Sequence, residues 1–156
     1  MARPIRALIV DDDPHAAEML ATRLRHEIPT LDITLADRPE PAAGHDIYLI
    51  DNDFDGIKLG TRLAKELRAV SPEALIVAFS GTLDAKTLKE LLNAGCNGAC
   101  EKGDDHDFAT LVTLAKQVGK EKPRNGESGN GLVHVMRSLA DLLKQWNNRL
   151  DRMESR

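Results

Sequence analysis

The sequence predicts an α/β protein: a five-stranded parallel sheet covered by helices on both faces, with a further helix appended at its C-terminal end. Three observations lead there. Short, unbroken apolar runs alternate with amphipathic stretches of helical period, as expected of a sheet buried on both sides. Two of the apolar runs end in carboxylates, Asp11-Asp12-Asp13 and Asp51-Asn52-Asp53. The charge also changes sign along the chain: residues 1–119 carry 13 basic and 20 acidic side chains, a net of −7, whereas residues 120–156 carry 8 and 5, a net of +3.

Residues 5–10, apolar except for Arg6, read as the first buried strand, which stops at the acidic triplet. Residues 14–27 follow as a helix, with Ala17, Leu20, Ala21 and Leu24 on one face and Pro14 in the first turn, where its missing N–H costs nothing. The second strand is 31–36 and the third 46–51, which again ends on a carboxylate. Between them, residues 37–45 contain Pro39, Pro41 and Gly44 and have room for at most one helical turn. A helix is predicted over 56–70, with Leu59, Leu63, Ala64 and Leu67 in register, then a strand over 74–79 that stops at Ser80-Gly81. Asp84 caps a helix that runs through Leu92 and ends at Gly95. A short strand over 97–100, a loop at 101–103 and a last helix over 104–118, with Phe108, Leu111, Val112 and Ala115 inward, complete the alternation.

At 156 residues the chain suits one compact domain, 1–119, plus an appendage. A net charge of −4 and only five aromatic side chains argue against a nucleic-acid partner. The early apolar run 7–10 is cut off by acids, so neither a secretory leader nor a membrane span is read, and a cytoplasmic location is expected. Cys96 and Cys100 lack a second pair or a neighbouring His, and read as buried reduced thiols. Asp13 reads as a helix cap, Asp55 before Gly56 as turn chemistry, Asp104 and Asp105 as first-turn acids, and the five histidines as surface residues.

Residues 120–131 hold no apolar side chain and four helix-breaking residues, the pattern of a flexible linker; its reach is roughly 20 Å if disordered. From 132 to 156 the pattern is helical, with Asn130 as a possible cap. Leu132, Val135, Leu139, Leu142, Trp146 and Met153 fall at a and d positions, Met136, Leu143 and Leu150 widen the stripe, and Arg149 interrupts it. So broad an apolar stripe must be covered, by the chain's own domain, by a second copy in a homodimer, or by a partner. The outer face, with Lys144, Arg149 and Arg152, is basic and suits an acidic protein surface; interleaved acids make a membrane the weaker match. One helix is too short to read DNA or to act as an output enzyme.

In an open parallel sheet the ligand site lies beyond the carboxyl ends of the strands. Those ends carry Asp11, Asp12, Asp51, Asp53, Ser80 and Lys102. Carboxylates that converge repel one another unless a cation sits among them, and an all-oxygen set suits Mg²⁺. A lysine and a hydroxyl opposite the metal are what a transferring phosphoryl group needs, and the carboxylate between them can be the nucleophile.

Taken together, these residues resemble the receiver domain of two-component response regulators, the CheY-like family, over Arg3 to about Lys120. Leu8-Ile-Val-Asp-Asp-Asp-Pro14 is similar to the family's first strand and acidic pair, which implies that Asp11 and Asp12 bind Mg²⁺. Asp46-Ile-Tyr-Leu-Ile-Asp51 is similar to the strand that presents the phosphoacceptor, here Asp51. Ser80 falls at the family's switch hydroxyl, and Lys102, 22 residues on, at its lysine. The resemblance implies a flavodoxin-like, doubly wound sheet of order 2-1-3-4-5. It implies a Mg²⁺-dependent, stand-alone regulator that accepts a phosphoryl group on Asp51 from a histidine kinase or histidine phosphotransfer protein. Such a protein is a phosphoacceptor that assists its own phosphotransfer and dephosphorylation, not a turnover enzyme. Its output is a changed association through the surface of 84–92, 97–100 and 104–118, where the tail helix or a partner would be regulated.

The sequence departs from the family in four places. The second helix has shrunk to the 37–45 link. The loop after Asp51 is roughly three residues short, so Asp53, whose carbonyl the family uses as a metal ligand, carries a carboxylate that either joins the ion or repels the phosphoryl group. Gly103 stands where a proline commonly follows the lysine. Ala99 stands where many receivers carry a switch aromatic, so output by an aromatic rotamer is not expected. Two other readings compete. Asp51-Asn-Asp53 also resembles the D-x-D of haloacid-dehalogenase-type phosphatases, with Ser80 and Lys102 as later motifs. That family's remaining acidic pair follows the lysine, where only Asp104-Asp105 stands, and no segment is long enough for a cap. A phosphorylation-independent pseudo-receiver with a constitutive tail-mediated assembly is the other alternative.

Overall fold

The computed structural model describes residues 3–121 and 130–155, with side chains at 3–120 and 139–155. In chain order the elements are β1 (Arg6–Val10), α1 (Pro14–Glu27), β2 (Asp32–Ala36), β3 (Ile47–Asp51), β4 (Asp53–Phe54), β5 (Ile57–Lys58) and α2 (Gly60–Val70). There follow β6 (Leu75–Ser80), α3 (Ala85–Asn93), β7 (Gly98–Glu101), α4 (Asp105–Glu121), α5 (Asn130–Asn147) and α6 (Arg149–Glu154). The main sheet is parallel throughout, in the order β2-β1-β3-β6-β7. With the small β4–β5 hairpin set apart, this is the predicted order and the predicted flavodoxin-like architecture. The 37–45 link contains no helix, as its prolines require.

Alternation along the strands builds two cores. Ile9, Leu49 and Val77 face α1 and α4, whereas Leu8, Tyr48, Ile50 and Ile76 face α2 and α3. Asp13 caps α1 by accepting from the backbone N–H of His15 and Ala16 at 3.0 and 3.3 Å, and Asp84 caps α3 through Thr87 N–H at 2.7 Å. Asp104 Oδ1 accepts the Asp107 N–H at 2.9 Å and starts α4. Cys96 and Cys100 are free and buried, and burial pushes the Cys96 thiol up to about 12, so neither is a reactive thiolate. Of the five histidines, His15, His26 and His106 are exposed, His45 is half-buried with its ring edge-on to Tyr48, and the His134 side chain lies outside the described residues.

Three expectations change. The helix predicted from residue 56 starts at Gly60, because Asp55 and Gly56, at φ +51° and +81°, form a two-residue turn that pairs Asp53–Phe54 with Ile57–Lys58. An Asp-Gly pair is what such a hairpin demands. The last helix of the sheet domain runs on to Glu121, and α5 begins at Asn130; residues 122–129 of the expected linker, and the side chain of Asn130 that was expected to cap the tail, lie outside the described residues. The tail is not one helix but two, divided at Asn148.

From Leu139 on, where its side chains are described, the tail is covered by the chain's own domain, the first of the three expected possibilities. Leu139, Leu142, Leu143 and Trp146 join the core on the α1–α4 side, and Leu150 and Met153 join the core on the other side. The tail therefore crosses the sheet's open edge at β7. An edge strand presents unpaired carbonyls, and the tail answers them. Asn147 Nδ2 donates to Asn97 O at 2.7 Å and the Arg149 guanidinium donates to Ala99 O. The indole of Trp146, 6% exposed, lies so close to Gly98 that a Cβ there would stand 2.2 Å from its ring. Arg149, expected on a basic outer face, is 9% exposed and bonded to the buried Asp107, while Lys144 and Arg152 are exposed as expected. Its place in the apolar stripe explains this: a cation there is tolerable only with a carboxylate and carbonyl to meet it.

Candidate functional site

The reversal of strand order between β1 and β3 opens a crevice at their carboxyl ends. Val10 is in register with Ile50, and Asp51 with Phe79, so the residues that leave β1, β3 and β6 come out side by side. Asp11 is held by its own N–H, which donates to Ala36 O at 3.0 Å, and Asp51 is the last residue of β3, 4% exposed. Lys102 follows β7, and its N–H donates to Ser80 O at 2.8 Å. Its ammonium lies 3.0 Å from Asp51 Oδ1 and 3.9 Å from Asp11 Oδ2.

Backbone donors orient the acids. Asp13 N–H donates to Asp11 Oδ1 at 2.9 Å, Asp53 N–H to Asp51 Oδ1 at 3.2 Å, and Asp55 N–H to Asp12 Oδ2 at 3.0 Å. The last of these is the work of the hairpin, whose turn swings back over the first acidic cluster. Asp11, Asp12 and Asp51 each bring a carboxylate oxygen within 4.8 Å of the other two. Burial pushes the Asp11 carboxyl up to about 6, with the Asp51 charge adding to it against the Asp13 N–H and Lys102. Burial works against the Lys102 ammonium, but its bond to Asp51 and the charges of Asp51, Asp11 and Asp12 outweigh this and hold it above the usual lysine value.

The donor set fits a hard divalent cation: three carboxylates, all oxygen, of which Asp11 resists ionisation chiefly because it is buried and secondarily because Asp51 is beside it. Mg²⁺ matches because it takes few carboxylates and keeps its remaining waters. The carboxylate of Asp53, the fourth expected metal residue, turns to Lys58, 3.5 Å away, and is not in the cluster, while the Asp53 N–H reaches Asp51. Ser80 is buried at the mouth of the site, its hydroxyl donating to Thr82 O at 2.8 Å. The late acids of the phosphatase reading are used elsewhere: Asp104 caps α4, and Asp105 pairs with Arg23 at 3.4 Å.

Two residues escaped the sequence reading. Asn52 is buried behind Asp51 and accepts the Gly60 N–H at 3.2 Å, joining the acceptor loop to α2. Asp107 is buried in α4, accepts the Glu101 N–H at 2.9 Å and bonds to both Trp146 and Arg149. Nothing local marks Asp107 out, although Arg149 within an apolar stripe was a signal that a buried acid must exist somewhere.

No protein-family model matches this sequence, and no curated protein does. Solved structures do. The receiver domain of a DNA-binding response regulator from Colwellia psychrerythraea matches with a TM-score of 0.64 at 22% identity, over 74% of this chain and 98% of that one. A CheY-like receiver domain from Methanospirillum hungatei gives 0.63 at 18% identity, over 76% and 96%. A Francisella response-regulator receiver domain gives 0.61 at 20% identity, over 74% and 97%. The fold of this chain is that of response-regulator receiver domains. Among the described residues no helix is long and apolar enough to cross a membrane.

Proposed function

We propose that the protein is a phosphoacceptor: Asp51 takes a phosphoryl group from a phosphohistidine of a kinase or phosphotransfer protein, in the presence of Mg²⁺, and the change alters protein association. The observation that carries this reading is the meeting of Lys102 Nζ with Asp51 Oδ1 at 3.0 Å, beside a cluster of three carboxylates. Asp51 oxygen forms the new bond to phosphorus while the P–N bond to the donor imidazole breaks, leaving an acyl phosphate and a ring that one proton returns to neutral imidazole. Lys102 donates to the phosphoryl oxygens, and the Ser80 hydroxyl, released from Thr82 O, is the second donor. Asp11, Asp12 and Asp51 would hold Mg²⁺, which when bound neutralises charge on the transferring group. The chain assists its own phosphotransfer and hydrolysis and has no separate small-molecule turnover.

The test is a single covalent adduct. Incubation with acetyl phosphate and Mg²⁺ should place one acid-stable, base-labile phosphoryl group on Asp51, absent in Asp51→Asn and without metal. Sustained hydrolysis of a generic phosphomonoester would instead support a phosphatase, and no adduct with intact folding would leave the pseudo-receiver.

A further inference from the structure

The face made by α3, β7 and α4 is closed by the chain's own tail, and one carboxylate joins that closure to the acidic site. Asp107 Oδ2 accepts the Glu101 N–H at 2.9 Å, while Oδ1 accepts from Trp146 Nε1 at 3.3 Å and from the Arg149 guanidinium. Glu101 immediately precedes Lys102, whose ammonium lies 3.0 Å from Asp51. Glu101 Oε1 also accepts the Leu83 N–H at 3.1 Å, in the β6–α3 loop where Ser80 now donates to Thr82 O. The acceptor side chain, the lysine, the switch hydroxyl and the seat of the tail are thus bonded through Glu101 and its neighbours.

We propose that the tail is an intramolecular latch on this face and that a phosphoryl group on Asp51 opens it. The inference rests on the phosphoacceptor reading of Asp51 and adds what that event controls. A phosphoryl group occupies the space in which Lys102 meets Asp51, and recruiting Ser80 breaks the hydroxyl's bond to Thr82 O. Both adjustments act on the ends of β6 and β7 and on the loop that Glu101 holds. The seat tolerates little movement. Trp146 lies against Gly98 with no room for a methyl group, and Arg149 draws its partners from two elements, Asp107 on α4 and Ala99 on β7. Arg149 Nε is already buried without a partner among the described residues, so the seat has no hydrogen bond to spare. A shift of β7 against α4 separates the two partners, and a tethered helix can recover its solvation by leaving.

The experiment uses the full chain with Mg²⁺ and beryllofluoride. Fluorine NMR of the bound fluoride reports the state of Asp51, and amide hydrogen exchange over residues 139–154 reports the tail. The expected result is a bound-fluoride signal together with a roughly 5–150-fold loss of tail protection, the range of ordinary site-to-site coupling, with β3 and β6 still protected. A bound signal with unchanged tail protection overturns the latch and leaves the phosphoacceptor reading in place; an absent signal overturns both. Linkage supplies a reciprocal arm. Trp146→Ala, which weakens the seat, should tighten beryllofluoride binding, and unchanged affinity in the folded variant overturns the coupling.

Discussion

Gly98→Ala should detach the tail while leaving the sheet domain folded. The three atoms nearest to a Cβ at Gly98 all belong to Trp146, at 2.2, 2.6 and 3.0 Å. Carbon atoms rest at about 3.5–4.0 Å, so the ring must retreat by more than an ångström. It is not free to slide, because its Nε1 is 3.3 Å from Asp107 Oδ1 and the Arg149 guanidinium stacks 4.5 Å from its centre. Forcing the methyl into the docked state costs about 1–3 kcal/mol, less than the ~3–5 kcal/mol for deleting a buried Trp outright. Converted to populations, that is a roughly 5–150-fold rise in the undocked tail. The chain has one Trp, so its fluorescence reads the tail alone. Emission should shift to the red as the indole meets water, while circular dichroism retains a cooperative unfolding transition of the sheet domain. Unchanged emission would refute the close approach. Collapse of the whole transition would refute the claim that the clash is confined to the tail.

Other consequences follow from the same contacts. The Asp11 carboxyl is pushed up from an ordinary 3.8 to about 6, so the folded state binds its proton more tightly than the unfolded chain does. Its contribution to metal-free stability is therefore full below pH 3.8 and lost as pH rises through about 6. Mg²⁺ needs the ionised form, so its affinity, measured by calorimetry, should fall about tenfold per pH unit below that value and level off above it. In Asp51→Asn one repulsive charge disappears, and NMR titration should find Asp11 ionising at lower pH than in the parent. Arg149→Met leaves Asp107 buried without its cation; the cost, up to about 3–5 kcal/mol, is limited by release of the tail, which lets Asp107 hydrate. Thermal unfolding should nevertheless rank it well above Lys144→Ala or Arg152→Ala, surface changes that fall within about 0.5 kcal/mol. Truncation after Glu121 uncovers the β7 edge and the Gly98 groove, and sedimentation should show concentration-dependent self-association absent from the full chain.

Much of the fold was legible because the information is local. Apolar runs of strand length, alternating with helical stripes, specify a sheet buried on two faces, and caps such as Asp13 and Asp84 act over two or three residues. The cluster of Asp11, Asp12, Asp51 and Lys102 followed from placing strand ends together, and the strand order from the resemblance to receiver domains. The hairpin at Asp53–Lys58 was missed although Asp55-Gly56 announced a turn, because two-residue strands carry too little pattern to compete with a helix starting beside them. Its effect on Asp53, a carboxylate turned to Lys58 and away from the acids, followed from that turn.

The tail divides the two kinds of knowledge most clearly. Sequence by itself determined that the tail is helical with an apolar stripe that must be covered, since exposed apolar area of that size has no stable place in water, but not that it divides at Asn148. It also determined that the acids of the first strand and Asp51 share one site. Only tertiary structure decided what covers the tail, because the partners lie some 40 to 50 positions away along the chain: Asp107 for Trp146 and Arg149, Asn97 for Asn147, Ala99 for Arg149. Burial, not residue type, turned Arg149 from an apparent surface charge into the clasp that closes the open edge of the sheet.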